Sequence, residues 1–371
     1  MSALHNLIVD LDARFEAFEA PAGIEIAAPA SADERTLAWI DDLFGGSWSS
    51  EAALGTNVVA RRGGAPAGFA TFGAQGLRFA WLRGMARERD VGLFGPFGVA
   101  PAERKSDLGV ALLHRALAGL RERGYARALI PAVGGERLVR YYAGAAGARV
   151  VEEYDRDALL GAPARTLVMA SGSGSNFRAL AEAVAQRRLP LDLIALVSND
   201  PGAYALERAR LAGVPARVVA WERAGESRAA YDARLLDTVE ALRPELVVLL
   251  GWMHLLSPQF VAAFPDLLNL HPAFLPLDPR RDDVCMPDGT RVPALRGAHA
   301  VRDALAAASA WTGATLHRVT ADTDRGPVFA RRPLRIEAGE DEAQLMPRVH
   351  AIEHRLVPAG ITRWLFERNA S

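Results

Sequence analysis

Thr166-Leu167-Val168-Met169-Ala170 runs directly into Ser171-Gly172-Ser173-Gly174-Ser175-Asn176. A short apolar run closed by glycines reads as a buried strand, and the pattern from about Asn176 onward is helical. Four more short apolar runs follow, at Leu193–Val197, Ala216–Val219, Leu246–Leu250 and Leu267–Leu270, with helical patterns between them. This alternation predicts an α/β fold with a doubly wound, mainly parallel sheet. Thr315–Val319 and Val328–Ile336 add two strands, and Glu340–Glu367 forms a long closing helix.

Upstream, Gly161-Ala162-Pro163-Ala164 interrupts the pattern, which places a seam at about Asp155 to Arg165. Two domains are expected, residues 1–158 and 165–371. The first half reads as an opening helix to about Ala20, a strand at Ile24-Glu25-Ile26 and a helix from Ser31 to Phe44. Asn57–Ala60 and Ala67–Phe72 flank Arg62-Gly63-Gly64 as a hairpin. Strands at Gly92–Val99, Arg127–Pro131 and Ala148–Tyr154 then alternate with helices at Asp107–Arg123 and Glu136–Ala146. Antiparallel strands followed by alternation predict an α+β domain.

Composition narrows the function. The chain has 371 residues, half of them hydrophobic, so it can bury sizeable cores. Lys and Arg number 43 against 44 Asp and Glu, which argues against binding nucleic acid by bulk charge. Cys285 is the sole cysteine, so an internal disulfide is excluded and a cysteine zinc site is not expected. No apolar run approaches the roughly 20 residues of a membrane span, and the start of the chain lacks a signal-peptide core. A cytoplasmic protein with neither nucleic-acid nor membrane partners is expected.

The loop Gly172, Ser173, Gly174, Ser175, Asn176 puts backbone amides at a helix start, where a phosphate or carboxylate can bind. The plainer use is a tight turn with Ser175 or Asn176 as the cap. It lacks the G-x-G-x-x-G of dinucleotide sites and the Gly-Lys-Ser/Thr of ATP sites. In Leu267-Leu268-Asn269-Leu270-His271-Pro272, Asn269 and His271 lie two apart and therefore share one face of a strand that Pro272 ends. An amide can donate to a developing oxyanion, and an imidazole can carry a proton. Asp324, in Asp322-Thr323-Asp324-Arg325-Gly326-Pro327, can reach the same sheet edge and orient His271, or it can be an ordinary turn aspartate. His350 and His354, four apart on a helix, have metal-ligand spacing, but no metal is expected.

Residues from about 165 to 370 resemble phosphoribosylglycinamide formyltransferases. The ordered series includes residues 172–176, Ser198-Asn199, Leu206-Glu207-Arg208-Ala209 and Ser227-Arg228-x-x-Tyr231-Asp232. It continues with Gly251-Trp252-Met253, Leu256-Ser257-Pro258, Asn269-Leu270-His271-Pro272, Leu275-Pro276, Asp324-x-Gly326-Pro327 and Glu353-His354. The resemblance implies the formyltransferase fold and transfer of a formyl group from 10-formyltetrahydrofolate to an amine, with Asn269, His271 and Asp324 as the catalytic set. It implies an acceptor phosphate on residues 172–176 and Arg228, with Glu353 on the ribose hydroxyls. It places folate against Met253, His254, Leu255 and Leu256 and the loop at Ala321 and Asp322. The acceptor is then a small, phosphorylated amine, and a homodimer is compatible with this family. Two departures stand out. His254 occupies a position where the family usually has arginine. Leu277–Leu295 is longer and more charged than the family's short loop, and reads as a lid, a specificity element, a contact to the first domain, or a solvated hairpin around Pro287-Asp288-Gly289-Thr290.

Residues from about 22 to 154 resemble GCN5-related N-acetyltransferases. Val99-Ala100-Pro101-x-x-Arg104 leads into Leu108-Gly109-Val110-Ala111, in register with that family's coenzyme A loop. Val99, Arg104, Gly109, Ala111 and Tyr141 form the implied site for acetyl-CoA or another acyl-CoA. Asp107 stands where the first glycine is expected, either repelling a pyrophosphate or capping the helix. Three functions fit: a folate-dependent formyltransferase with an acetyltransferase-like partner domain, an enzyme that formylates and acylates one metabolite, and a non-catalytic folate- or nucleotide-binding regulator. The presence of Asn269, His271 and Asp324 argues against the last.

Overall fold

The computed structural model describes residues 3–11, 15, 20–44, 48–73, 89–104, 106–286 and 288–370. The chain divides into two compact units, Met1–Leu160 with Leu365–Ser371, and Gly161–Trp364. No helix among the described residues is long and apolar enough to cross a membrane.

The first unit runs β1 (Leu4–Asp10), β2 (Glu25–Ile26), α1 (Glu34–Phe44), α2 (Trp48–Ala52), β3 (Thr56–Arg62), β4 (Ala65–Phe72), β5 (Val91–Val99), α3 (Leu108–Glu122), β6 (Arg127–Gly134), α4 (Gly135–Ala146), β7 (Arg149–Tyr154) and α5 (Arg156–Leu160). Its strands form one sheet in the order β2-β3-β4-β5-β6-β1-β7. The β3–β4 hairpin turns at Gly63 and Gly64, both with positive φ, as a two-residue primed turn requires. β1 replaces the opening helix expected from the sequence. Leu7, Ile8 and Val9 are fully buried because β1 lies between β6 and β7, antiparallel to both. A strand covered on both faces loses the alternation that would identify it. The rest of that expected helix, at 12–14 and 16–19, lies outside the described residues.

β5 and β6 are parallel, but they pair only through Val91–Leu93 and Arg127–Leu129. Beyond that point β5 stays with β4 and β6 stays with β1, so the two strands part. Pro96 and Pro131 lie in the parting segments and have no N–H to offer a ladder.

The second unit continues with β8 (Ala164–Met169), α6 (Ser175–Ala185), β9 (Leu191–Ser198), α7 (Tyr204–Leu211), β10 (Ala216–Val218), α8 (Arg228–Glu240), β11 (Leu246–Leu249), α9 (Pro258–Ala263), β12 (Leu267–His271), β13 (Asp283–Cys285), β14 (Arg291–Pro293), α10 (Ala300–Ala306), β15 (Trp311–Arg318), β16 (Val328–Arg335) and, as far as Trp364, α11 (Glu342–Ala370). Its main sheet has the order β10-β9-β8-β11-β12-β15-β16. The first five strands are parallel, and β15 and β16 are antiparallel to their neighbours. This is the doubly wound, mainly parallel sheet that the alternating sequence implies. The order reverses between β8 and β11, the place where such sheets leave a crevice. Leu167, Met169, Val247, Leu267 and the aromatic side chains of Tyr231 and Phe260 build a core beside it.

Leu277–Leu295 carries the β13–β14 hairpin, whose strands the sequence shows only through its turn residues. Near its tip, Asp288 accepts a hydrogen bond from Trp311 Nε1 at 3.0 Å.

Gly313 lets β15 and β16 approach closely. A Cβ there would lie 2.2 Å from the Arg332 carbonyl oxygen and 2.9 Å from Phe274 Cβ. Gly313→Ala should therefore destabilise the second unit by about 1–3 kcal/mol, the usual range for overpacking. A urea titration of the full chain checks this, and an unmoved midpoint would show that the strands separate at no cost.

Candidate functional site

Register brings the first group of residues together. β12 and β15 pair so that Asn269 faces His317 and His271 faces Thr315. Side chains two apart on a strand, and those directly opposite in an antiparallel pair, share a face. Asn269, His271, His317 and Thr315 therefore project from one side of the sheet. Thr315 Oγ1 donates to the Ala273 carbonyl at 2.7 Å and accepts from the Leu275 amide at 3.0 Å. Those bonds hold the turn that carries the chain away from His271.

Asp324 lies in the β15–β16 connection and reaches the same face. Its Oδ1 is 3.3 Å from His317 Nε2 and 3.5 Å from Asn269 Nδ2. Its Oδ2 accepts the Gly297 amide at 2.8 Å and lies 3.5 Å from His271 Nδ1. The other nitrogen of each imidazole meets a main-chain carbonyl. His271 Nε2 donates to Leu295 at 2.8 Å, and His317 Nδ1 donates to Arg318 at 2.9 Å. Burial would raise the Asp324 carboxyl, but its contacts with His317, His271 and the Gly297 amide outweigh it and hold the group well below the ordinary carboxylate range. Burial lowers His271, with Asp324 opposing. His271 Nε2 is taken up by the Leu295 carbonyl, so Nδ1 is the nitrogen that faces the carboxylate.

The three residues expected as the catalytic set lie together, and His317 lies with them. The sequence showed His317 within a strand, but not which residue would stand opposite. Leu295 and Gly297 contribute main-chain groups, which no side-chain pattern can announce.

A second group surrounds the glycine loop. Gly174 is left-handed at φ 70°, and a Cβ on it would meet Ala205 Cα at 2.6 Å. Here glycine is required twice, by conformation and by space. Neither Ser175 nor Asn176 caps α6: Gly174 is the N-cap residue, without a side-chain bond. Asn176 Nδ2 instead donates to Glu353 Oε2 at 2.8 Å. Burial pushes Glu353 up to about 7, with the Asn176 bond opposing. Asn176 Oδ1 and His354 Nε2 are buried without a hydrogen-bond partner. Arg208 donates to the Ser173 carbonyl of this loop at 2.9 Å.

Arg228, expected at the acceptor phosphate, joins the 253–256 segment. It donates to Asp232 at 2.8 Å and to the Leu255 carbonyl, and lies over the Trp221 and Tyr231 rings. His254 packs edge-on against Trp252, Trp221 and Tyr231. Met253 and Leu255 are exposed, at 61% and 75%. The Met253 amide donates to Ser171 Oγ at 3.1 Å, and the Ser171 amide donates to the Gly251 carbonyl at 3.0 Å. The apolar strip and the glycine loop are thereby tied together at the sheet's reversal point. Ala321 and Asp322 precede Asp324 in its loop, where the Arg325 amide donates to the Asp322 carbonyl.

In the first unit, Phe97 stacks on Tyr141, and the Tyr141 hydroxyl lies 2.8 Å from where a Gly109 Cβ would be. That hydroxyl has no hydrogen-bond partner, and burial pushes it up to about 12. Ala111 is buried, and Arg104 Nε donates to the Val99 carbonyl at 3.4 Å. Asp107 holds the N-cap position of α3 but makes no side-chain cap bond, contrary to the capping role considered for it. Ser106 Oγ accepts the Leu108 amide instead.

Residues 164–361 match the family model described as formyl transferase. Phosphoribosylglycinamide formyltransferase of Mycobacterium tuberculosis is 39% identical over 203 residues, 54% of this chain and 84% of the relative. The Escherichia coli protein of that name is 34% identical over 197 residues, 53% of this chain and 84% of its own length. Glycinamide ribonucleotide transformylase 1 from Symbiobacterium toebii is 34% identical and covers 56% of this chain and 90% of its own, with a TM-score of 0.49. The chain belongs to the formyl transferase family.

Proposed function

We propose that this chain transfers the formyl group of 10-formyltetrahydrofolate to the amine of phosphoribosylglycinamide, a step of purine biosynthesis. The observation that carries this reading is the buried Asp324 carboxylate set between His271 and His317 and beside Asn269.

Asn269 Nδ2 has two hydrogens. One points to the Asp324–His317 pair, and the other serves the carbonyl oxygen of the formyl group as negative charge builds on it. His271 Nδ1 accepts the proton that the attacking amine must lose. Asp324 steadies the imidazolium so formed and relays the proton through water to the departing folate nitrogen. His317 fixes Asp324 from the other side. The site is dry enough for these charges to act strongly, since His271 is 3% exposed and His317 1%.

The exposed strip Met253–Leu255, backed by Trp252 and His254, fits a flat heterocycle. The 321–324 loop would close on its other side. For the acceptor, residues 172–176 offer backbone amides to the phosphate, with Arg208 adjoining. Asn176 and Glu353 offer an unpaired amide oxygen and a carboxyl to the ribose hydroxyls.

The decisive test is tetrahydrofolate release with phosphoribosylglycinamide as acceptor. His271→Ala and Asp324→Asn should each lower turnover at least about 100-fold, with folate affinity retained. Near-normal turnover in either variant would remove the catalytic assignment. Glu353 gives a separate, activity-free check. Its folded value of about 7 exceeds the ordinary 4.5, so the folded state holds the proton more tightly. Stability should therefore fall as pH rises from about 4.5 to 7, by about 3 kcal/mol from this group. Glu353→Gln should flatten that part of the profile. Parallel pH dependences of the urea midpoint in wild type and variant would contradict the buried carboxyl.

A second reading concerns the first unit, and the parting of β5 from β6 favours it. We infer an acyl-CoA site there, with Tyr141 donating a proton to the departing thiolate. Asp107 weakens it by repelling a pyrophosphate at the α3 N-terminus. Calorimetry of the full chain with acetyl-CoA should show weak binding that tightens in Asp107→Gly. Micromolar binding by the wild type would show that Asp107 does not obstruct the site.

A further inference from the structure

We propose that Asp282, at the foot of the β13–β14 hairpin, is a positioning residue for the transferase centre: a clasp on two arginines that holds the Asp324 loop in its working conformation. The proposal rests on the function proposed above.

Asp324 sits at φ 53°, in the left-handed region, which is costly for a residue with a side chain. Such a conformation persists only where its surroundings dictate it. Here the chain returning from β14 supplies them in three consecutive residues. Leu295 accepts from His271 Nε2 at 2.8 Å, Arg296 Nε donates to the Asp324 carbonyl at 3.3 Å, and the Gly297 amide donates to Asp324 Oδ2 at 2.8 Å. On the opposite side, Arg325 directly follows Asp324 in the loop.

Both arginines close on the start of the hairpin. Arg296 donates to the Arg281 carbonyl at 2.7 Å, and Arg325 donates to the Pro279 carbonyl at 2.7 Å. Between them lies Asp282, whose Oδ1 accepts from Arg296 Nη1 at 3.0 Å and from Arg325 Nη2. One carboxylate oxygen thus joins the return segment to the loop. Without it, two guanidiniums would face one another across the vacated position. The hairpin's other acids point elsewhere: Asp278 bonds Arg280, Asp283 bonds Arg281 and Arg291, and Asp288 bonds Trp311. Asp282 is 75% exposed, so the clasp is open to screening by salt. A purely structural hairpin would have no need to contact the residues on either side of Asp324.

The test uses the full chain and two readouts. Hydrogen exchange of the segments around Gly297 and Arg325 reports the clasp without reference to activity. Asp282→Ala should speed exchange there about tenfold and lower kcat about tenfold, with both KM values within about twofold, the signature of misplaced rather than unbound reactants. Asp282→Glu should restore both, and Asp278→Ala should change neither. Wild type at about 1 M salt, where the Debye length falls to about 3 Å, should move toward the Asp282→Ala behaviour. Unchanged exchange in Asp282→Ala would overturn the clasp, as would an increase spread evenly over the main sheet. If the wild type forms no tetrahydrofolate from any amine, the proposed function fails, and exchange alone still decides the clasp.

Discussion

In the second unit, one nearly buried carboxylate, that of Asp324, organises the residues around it. A carboxylate removed from water must be given back its lost hydration by neighbours, or it takes up a proton. Asp324 accepts the Gly297 amide and lies within 3.5 Å of two imidazoles and an asparagine amide. Each compensating group is then fixed in turn. The imidazoles are pinned at their far nitrogens by main-chain carbonyls, which sets which ring nitrogen faces the carboxylate. The left-handed turn at Asp324 follows from the same demand, because its loop must fold back over the face of β12 and β15. Gly326 makes that fold possible: a Cβ there would lie 1.7 Å from the Arg318 carbonyl oxygen.

The other half of the site depends on backbone rather than charge. Ser171, at the end of β8, and Gly251 and Met253, after β11, are stitched together where the sheet order reverses. The stitch positions the glycine loop beside an exposed apolar strip. Two chemically different surfaces meet there, one suited to an anionic group and one to a flat ring. Asn176 and Glu353 sit under the loop as a buried polar pair, with the carboxyl near neutrality.

Much of this was legible in the chain. Apolar runs alternating with helical patterns specify a parallel sheet, because strands covered on both faces are apolar throughout and the crossovers between them are amphipathic. Asn269 and His271 announced a shared face through their spacing, which depends only on the geometry of an extended strand. Gly174 lay in a loop whose glycine content already suggested a backbone role. The opening strand was missed for the converse reason: Leu7, Ile8 and Val9 are buried on both faces, and a run of three buried residues carries no period.

By itself the sequence determined the strand-and-helix order of the second unit, the pairing of Asn269 with His271 on one face, and the presence of an acid able to reach them. Those features follow from local periodicity and spacing. The tertiary structure decided that His317 stands opposite Asn269, that Arg208 bonds the glycine loop, and that Leu295, Arg296 and Gly297 deliver main-chain and cationic contacts to the acid. Cross-strand register and the path of a returning loop join residues tens of positions apart, and no local pattern records which carbonyl a histidine will find.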